Sequence, residues 1–166
     1  FLNGVKISKI IQFEMAFEGI IKNGEAHNAD LIVMGSHGAN GFQEMFIGSN
    51  TEKVVRNSNV PVLVIKREED TFNASKFVFA SDFSDEIKKP FEKVVEFVNK
   101  FGSHLYLANI NTPNNFKSTK VAQKQMDEFI ANFKIDNYST HIYNDVNVEK
   151  GILHFAKSID ADIIGM

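Results

Sequence analysis

Residues 30–65 read DLIVMGSHGANGFQEMFIGSNTEKVVRNSNVPVLVI. Leu31 to Met34 is an apolar run too short for a globular helix and closed by Gly35, the pattern of a buried parallel strand. A loop punctuated by Gly35, Gly38, Gly41 and Gly48 follows it. Ser49, Asn50 and Thr51 are good N-cap residues before the helical pattern Glu52 to Arg56. Pro61 then opens a second apolar strand to Ile65. Such a unit aims a helix N-terminus and bare backbone N–H groups at the carboxyl end of a parallel sheet, where anions bind. Glycine suits the loop because a Cβ would hold phosphate oxygens away from the N–H groups or forbid φ > 0. Ser49 can add a hydroxyl donor. No lysine follows Gly48 as a P-loop demands, and G-x-G-x-x-G is absent.

The order Gly35, two residues, Gly38, nine residues, Gly48, Ser49 stands among the words GSHG, IGS and SNVPVLVI. It resembles the ATP-binding signature of the universal stress protein family.

The 166 residues, 43% apolar and 23% charged, suit an ordinary globular protein. A net charge of −3 without a basic block gives no support for nucleic-acid binding. Cysteine is absent, which excludes disulfides and fits a reducing cytoplasm. No apolar run reaches the ~18–20 residues of a membrane span, and no signal peptide opens the chain. The first residue is Phe1 rather than methionine, so the chain reads as an excerpt.

Upstream of residue 30, Val5 to Ile11 reads as a strand and 14–28 as a helix with Met15, Ala16, Ile20 and Ile21 on one face. Downstream, 67–75 is polar and aperiodic, a linker. A second unit then runs strand Phe77–Ala80, helix from Ser84 or Asp85 to Phe101, strand Leu105–Ile110, helix Val121–Phe133, strand Thr140–Tyr143, helix Val148–Ile159 and strand Ile163–Met166. A shift of 132 residues lays Ala29-Asp30-Leu31-Ile32 on Ala161-Asp162-Ile163-Ile164 and Gly19-Ile20 on Gly151-Ile152. The sequence therefore holds two copies of one unit. The first lacks its beginning and the second its end, giving a C-terminal part of one domain over 1–66, the linker, and an N-terminal part of another over 76–166.

The resemblance covers nearly the whole chain on that division. It implies an α/β fold with doubly wound, mostly parallel sheets of the Rossmann-like, adenine nucleotide alpha-hydrolase-like type. It implies ATP, with or without Mg2+, contacted by Met34, Gly35, Ser36, Gly38, Gly48, Ser49 and Asn50 in the first copy, and by Asp82 and Ile110 in the second. Asp82, in a strand-end DFS word, matches the family's base- or ribose-proximal aspartate, although a helix-capping aspartate fits equally. Universal stress domains also dimerise through their last strand, here Pro61 to Ile65, either between copies of the chain or internally. A stress-response role in the cytoplasm is implied.

His37 lies inside the loop without a Ser or Asp partner at triad spacing, and Glu44 and Glu52 read first as solvated or dipole-complementing residues. The five histidines show no metal-ligand spacing, so the sequence predicts no protein-ligated zinc. No catalytic residue can be named: the loop supplies a cradle but no lysine, arginine finger or base, and hydrolysis is expected to be slow or absent. Two other classes stay open, an adaptor that binds nucleotide weakly or never, and an ATP-dependent enzyme with its active residues elsewhere.

Overall fold

The computed structural model describes residues 4–11, 13, 15–36, 48–66 and 71–166. Gly38 and Gly41, with His37 and Glu44, lie outside the described residues. The chain divides into two compact units, Phe1–Asp70 and Thr71–Met166.

In the first unit, α1 (Ala16–Ala26), β1 (Ile32–Gly35), α2 (Ser49–Asn57) and β2 (Val62–Ile65) follow one another. β1 and β2 pair in parallel, Ile32 opposite Val62 through Gly35 opposite Ile65. β2 begins one residue after Pro61, which has no N–H to give a ladder. Val54 of α2 is fully buried, and on the outside the Lys53 ammonium lies 4.9 Å over the Phe17 ring. The strand expected over Val5 to Ile11 does not form. Those residues make no ladder, and Ile11 is 87% exposed. An extended segment outside a ladder leaves its backbone polar groups to water.

In the second unit, β3 (Lys76–Ala80), β4 (His104–Asn111), β5 (Tyr138–Asn144) and β6 (Ile163–Gly165) form one parallel sheet in the order β5-β4-β3-β6. Its helices are α3 (Lys88–Phe101), α4 (Thr119–Ile130) and α5 (Val148–Ser158). Alternation along the strands divides the core. Phe77, Phe79, Leu105 and Leu107 pack with Phe91, Val98, Met126 and Phe129 of α3 and α4. Val78, Ala80, Ala108 and Ile110 pack with Ile152, Phe155 and Ala156 of α5. This is the doubly wound α/β arrangement that the strand and helix order predicted.

Local boundaries differ where backbone chemistry intervenes. The helix expected from Ser84 or Asp85 begins as a 3-10 turn, Asp85–Ile87, and becomes α-helical at Lys88. Pro90 has no N–H for the Glu86 carbonyl, so the α ladder cannot start earlier. α4 starts at Thr119 because Ser118 caps it, its side chain accepting from the Val121 N–H. Val121, expected on the inner face, is thereby turned out and 55% exposed.

Two helix stops 132 residues apart have matching hydrogen bonds. Past the C-cap of α1, Asn28 has φ 47°, and past that of α5, Asp160 has φ 54°. Ala29 N–H donates to Gly24 O at 2.8 Å, and Ala161 N–H to Ala156 O at 2.9 Å, the same left-handed helix stop 132 residues apart. Gly151 has its own reason to be glycine: a Cβ there would overlap Ile110 Cγ2 and lie 3.2 Å from Asp145 Cβ, so α5 crosses β4 at backbone distance. No helix among the described residues is long and apolar enough to cross a membrane.

Candidate functional site

Two hydrogen bonds tie the end of β1 to the start of α2, and a third ties it to the end of β2. Gly48 N–H donates to Ser36 O at 2.7 Å and Ser36 N–H to Ile65 O at 2.9 Å. The Thr51 hydroxyl donates to Gly35 O at 3.0 Å. Ser36 and Thr51 are both buried, 2% and 5% exposed. They are the clamps of the site, and Thr51 carries a structural role that sequence spacing does not announce.

The helix begins at Ser49, three residues before the expected pattern from Glu52. Gly48 is the N-cap, and Ser49, Asn50 and Thr51 occupy the first helical positions instead of capping. Among the described residues no side chain caps the helix. Among the described residues the first-turn N–H groups of α2 have no side-chain acceptor, and Ser49 and Asn50 are exposed beside them. An anion there would meet backbone donors, the positive end of the helix dipole and the Ser49 hydroxyl. Glu52 is not aimed at such a ligand; it pairs with Arg56 at 3.0 Å on the exposed face.

Gly48 has φ −58° and ψ 145°, which any residue adopts, and Gly35 is not among the glycines with positive φ. The expected need for φ > 0 does not hold at these two positions. What remains of the argument is the missing Cβ next to the helix N-terminus. Met34, half-buried, precedes Gly35 on β1.

Asp82 and Ile110 belong to the second unit. Asp82 is exposed just past β3, where the order β5-β4-β3-β6 reverses, the position at which open parallel sheets bind ligands. Its Oδ1 accepts the Ser84 N–H at 3.1 Å, a capping contact. That hydrogen bond, helped by the charge of Lys117, holds the Asp82 carboxyl below the usual carboxylate range. Phe83, next in the chain, has φ 57° and is 3% exposed, so it turns into the core and leaves Asp82 outside. Ile110 is 7% exposed and packed under α5. The structure places it as a core residue.

Sequence reading treats Asn111 to Ser118 as a loop and misses the polar frame behind Asp82. Gln125 Nε2 donates to Asp82 O at 2.8 Å, and Lys117 Nζ to Gln125 Oε1 at 2.8 Å. Buried Asn111 accepts from Lys117 N–H at 2.8 Å and donates to Asn144 Oδ1 at 3.1 Å. The frame joins residues far apart in the chain, and no local pattern marks it. Among the described residues no three His, Asp or Glu side chains converge on one point.

The universal stress protein family model matches residues 2–66. Universal stress protein MJ0577 of Methanocaldococcus jannaschii is 45% identical over 65 residues, 39% of this chain and 40% of that protein. Universal stress protein MJ0531 of the same organism is 39% identical over 64 residues, covering 39% of this chain and 38% of the relative. Among solved structures, a universal stress protein from Archaeoglobus fulgidus superposes with TM-score 0.65 at 29% identity, over 89% of this chain and 52% of that one. A putative universal stress protein from Pseudomonas aeruginosa gives 0.66 at 17% identity, over 91% of this chain and 56% of that one. The chain thus spans about two fifths of the curated relatives' length and about half of the solved ones.

Proposed function

We propose that this chain, whose residues 2–66 match the universal stress protein family model, binds ATP, with its phosphates at the start of α2, and serves as a nucleotide-binding stress-response module. The observation that carries this is the uncapped N-terminus of α2, held against the end of β1 by the Gly48–Ser36 and Thr51–Gly35 hydrogen bonds. Met34, Gly35 and Ser36 form one wall; Gly48, Ser49 and Asn50 form the other. Gly38 completes the signature by sequence. Any Mg2+ arrives on the triphosphate. Asp82 supplies an ionised carboxylate to a ribose or base in the second unit, and Ile110 backs that site from the core. With no base or cation named at the phosphates, the role is binding rather than turnover. A cytoplasmic setting fits the cysteine-free sequence.

Calorimetric titration of the full chain with ATP tests the reading. Ser49→Ala is expected to weaken binding by about 1–3 kcal/mol if the hydroxyl donates to a charged phosphate oxygen. No heat of binding at millimolar ATP, or equal affinity in folded Ser49→Ala, would refute it.

The assembly we propose runs through the strand Pro61 to Ile65. Among the described residues β2 pairs with β1 alone, so one apolar edge has backbone groups to offer a second copy. Val62→Lys with Val64→Lys should convert dimers to monomers in sedimentation velocity; a wild-type chain that sediments as a monomer at high concentration removes the proposal.

A further inference from the structure

The second unit carries a side-chain cluster that the nucleotide site does not use. His104 opens β4, and Ser139 and His141 lie on β5, with Asn137 just before it. His104 shares its sheet face with Tyr106, two residues on, and His141 contacts Phe155 of α5 with ring centroids 5.0 Å apart. Both imidazoles point at one atom. Nε2 of His104 and Nε2 of His141 each stand 2.8 Å from the Ser139 hydroxyl oxygen.

The other nitrogen of His104 is also fixed. Its Nδ1 is 2.8 Å from Asn137 Oδ1. A carbonyl oxygen only accepts, so Nδ1 carries the proton and Nε2 offers a lone pair toward Ser139. Ser139 donates to it and accepts from His141 Nε2–H. The Tyr106 ring lies against both imidazoles, with centroids 4.3 Å from His104 and 5.7 Å from His141. Burial, with the neighbouring His104, holds the His141 pKa below its ordinary value. All three side chains are half-buried and reachable from solvent.

We propose that His104 and His141 bind one late first-row divalent cation, copper or zinc, through their two Nε2 atoms. Two neutral imidazole nitrogens are donors that favour such ions over Mg2+ or Ca2+, with copper held most tightly. Metal–imidazole bonds are about 2.0–2.1 Å, so each ring closes in by less than an ångström on the point it now faces, and the Ser139 hydroxyl rotates aside. His141 moves its proton from Nε2 to Nδ1 as the metal enters. Asn137 acts as the outer partner that fixes the His104 tautomer, as hydrogen-bond acceptors do behind ligating histidines. Water fills the remaining positions. The site is therefore an exchangeable one, unlike a closed four-ligand structural zinc.

The chain has three tyrosines and no tryptophan, so copper titration of the full protein can be followed by tyrosine fluorescence. One equivalent of Cu2+ is expected to quench it, and Tyr106→Phe to remove most of that quenching. His104→Gln and His141→Gln should each weaken copper binding at least ~10-fold, and Asn137→Ala about 10-fold. Circular dichroism establishes that the variants are folded. Replacing the exposed histidines His27 and His154 together by glutamine should leave the affinity as in wild type. No copper binding at micromolar concentration, affinity unchanged in the two glutamine variants of the cluster, or loss in only one of them would each overturn the two-nitrogen site.

Discussion

On the proposed reading, Gly48→Val is expected to abolish ATP binding while the chain stays folded. The backbone at Gly48, φ −58° and ψ 145°, lies in a region that valine favours, so the substitution strains no dihedral. Its cost to folding is confined to a poorer N-cap, a few tenths of a kcal/mol to about 1 kcal/mol. The branched Cβ instead stands beside the first-turn N–H groups of α2, where a phosphate oxygen must come within about 3 Å to accept from them. Gly48→Ser separates the two effects. Serine is a better cap than glycine, so that variant keeps the helix, yet its side-chain oxygen takes the same amide donors and should also weaken ATP. Calorimetry on both, with helix content followed by circular dichroism, checks the prediction. Wild-type affinity in folded Gly48→Val would mean that the phosphates sit elsewhere.

Phe91→Ala should have the largest effect on stability. Phe91 is fully buried, and its ring meets Phe79 at 4.9 Å, Phe129 at 5.0 Å and Phe133 at 4.8 Å between centroids. It joins the sheet to both helices of that face. Truncating a buried phenylalanine costs about 3–5 kcal/mol, against the ~5–15 kcal/mol that holds an ordinary domain folded. The surrounding rings are large and mutually packed, so the void cannot collapse cheaply. Urea unfolding monitored by circular dichroism should show the midpoint of the second unit fall sharply, with Phe91→Leu falling less. A loss under about 1 kcal/mol would show that the aromatic cluster repacks.

The helices and most strands were legible because their apolar periodicity is local: Phe91, Val94, Val95 and Val98 mark α3 as plainly in the sequence as in the fold. Boundaries moved where one residue's backbone decided the matter, Pro90 delaying α3 and Ser118 advancing α4. Val5 to Ile11 has strand composition but joins no ladder among the described residues, and composition alone does not decide pairing. At the candidate site the glycine spacing pointed to the strand end and the helix start. The Thr51 clamp, the frame of Gln125, Lys117 and Asn111, and the pairing of His104 with His141 are contacts across elements, which spacing along the chain does not encode.

The ladders of the second unit are not equally expensive to close. Contacts between β3 and β4 join residues 28 apart, whereas those between β3 and β6 join residues 86 apart. On loop-closure entropy alone the second costs about 1 kcal/mol more. It is also short: Phe77, Val78 and Phe79 pair with Ile163, Ile164 and Gly165, against the five pairs of β3 with β4. Asp162 offsets part of this, accepting from the Lys76 N–H at 2.8 Å and from Asn73 Nδ2 at 2.9 Å, a latch at the foot of the strand. During synthesis β6 leaves the ribosome after β3, β4 and β5, so the β3 edge that it covers stays open until those residues emerge. The latch is what makes that late arrival hold.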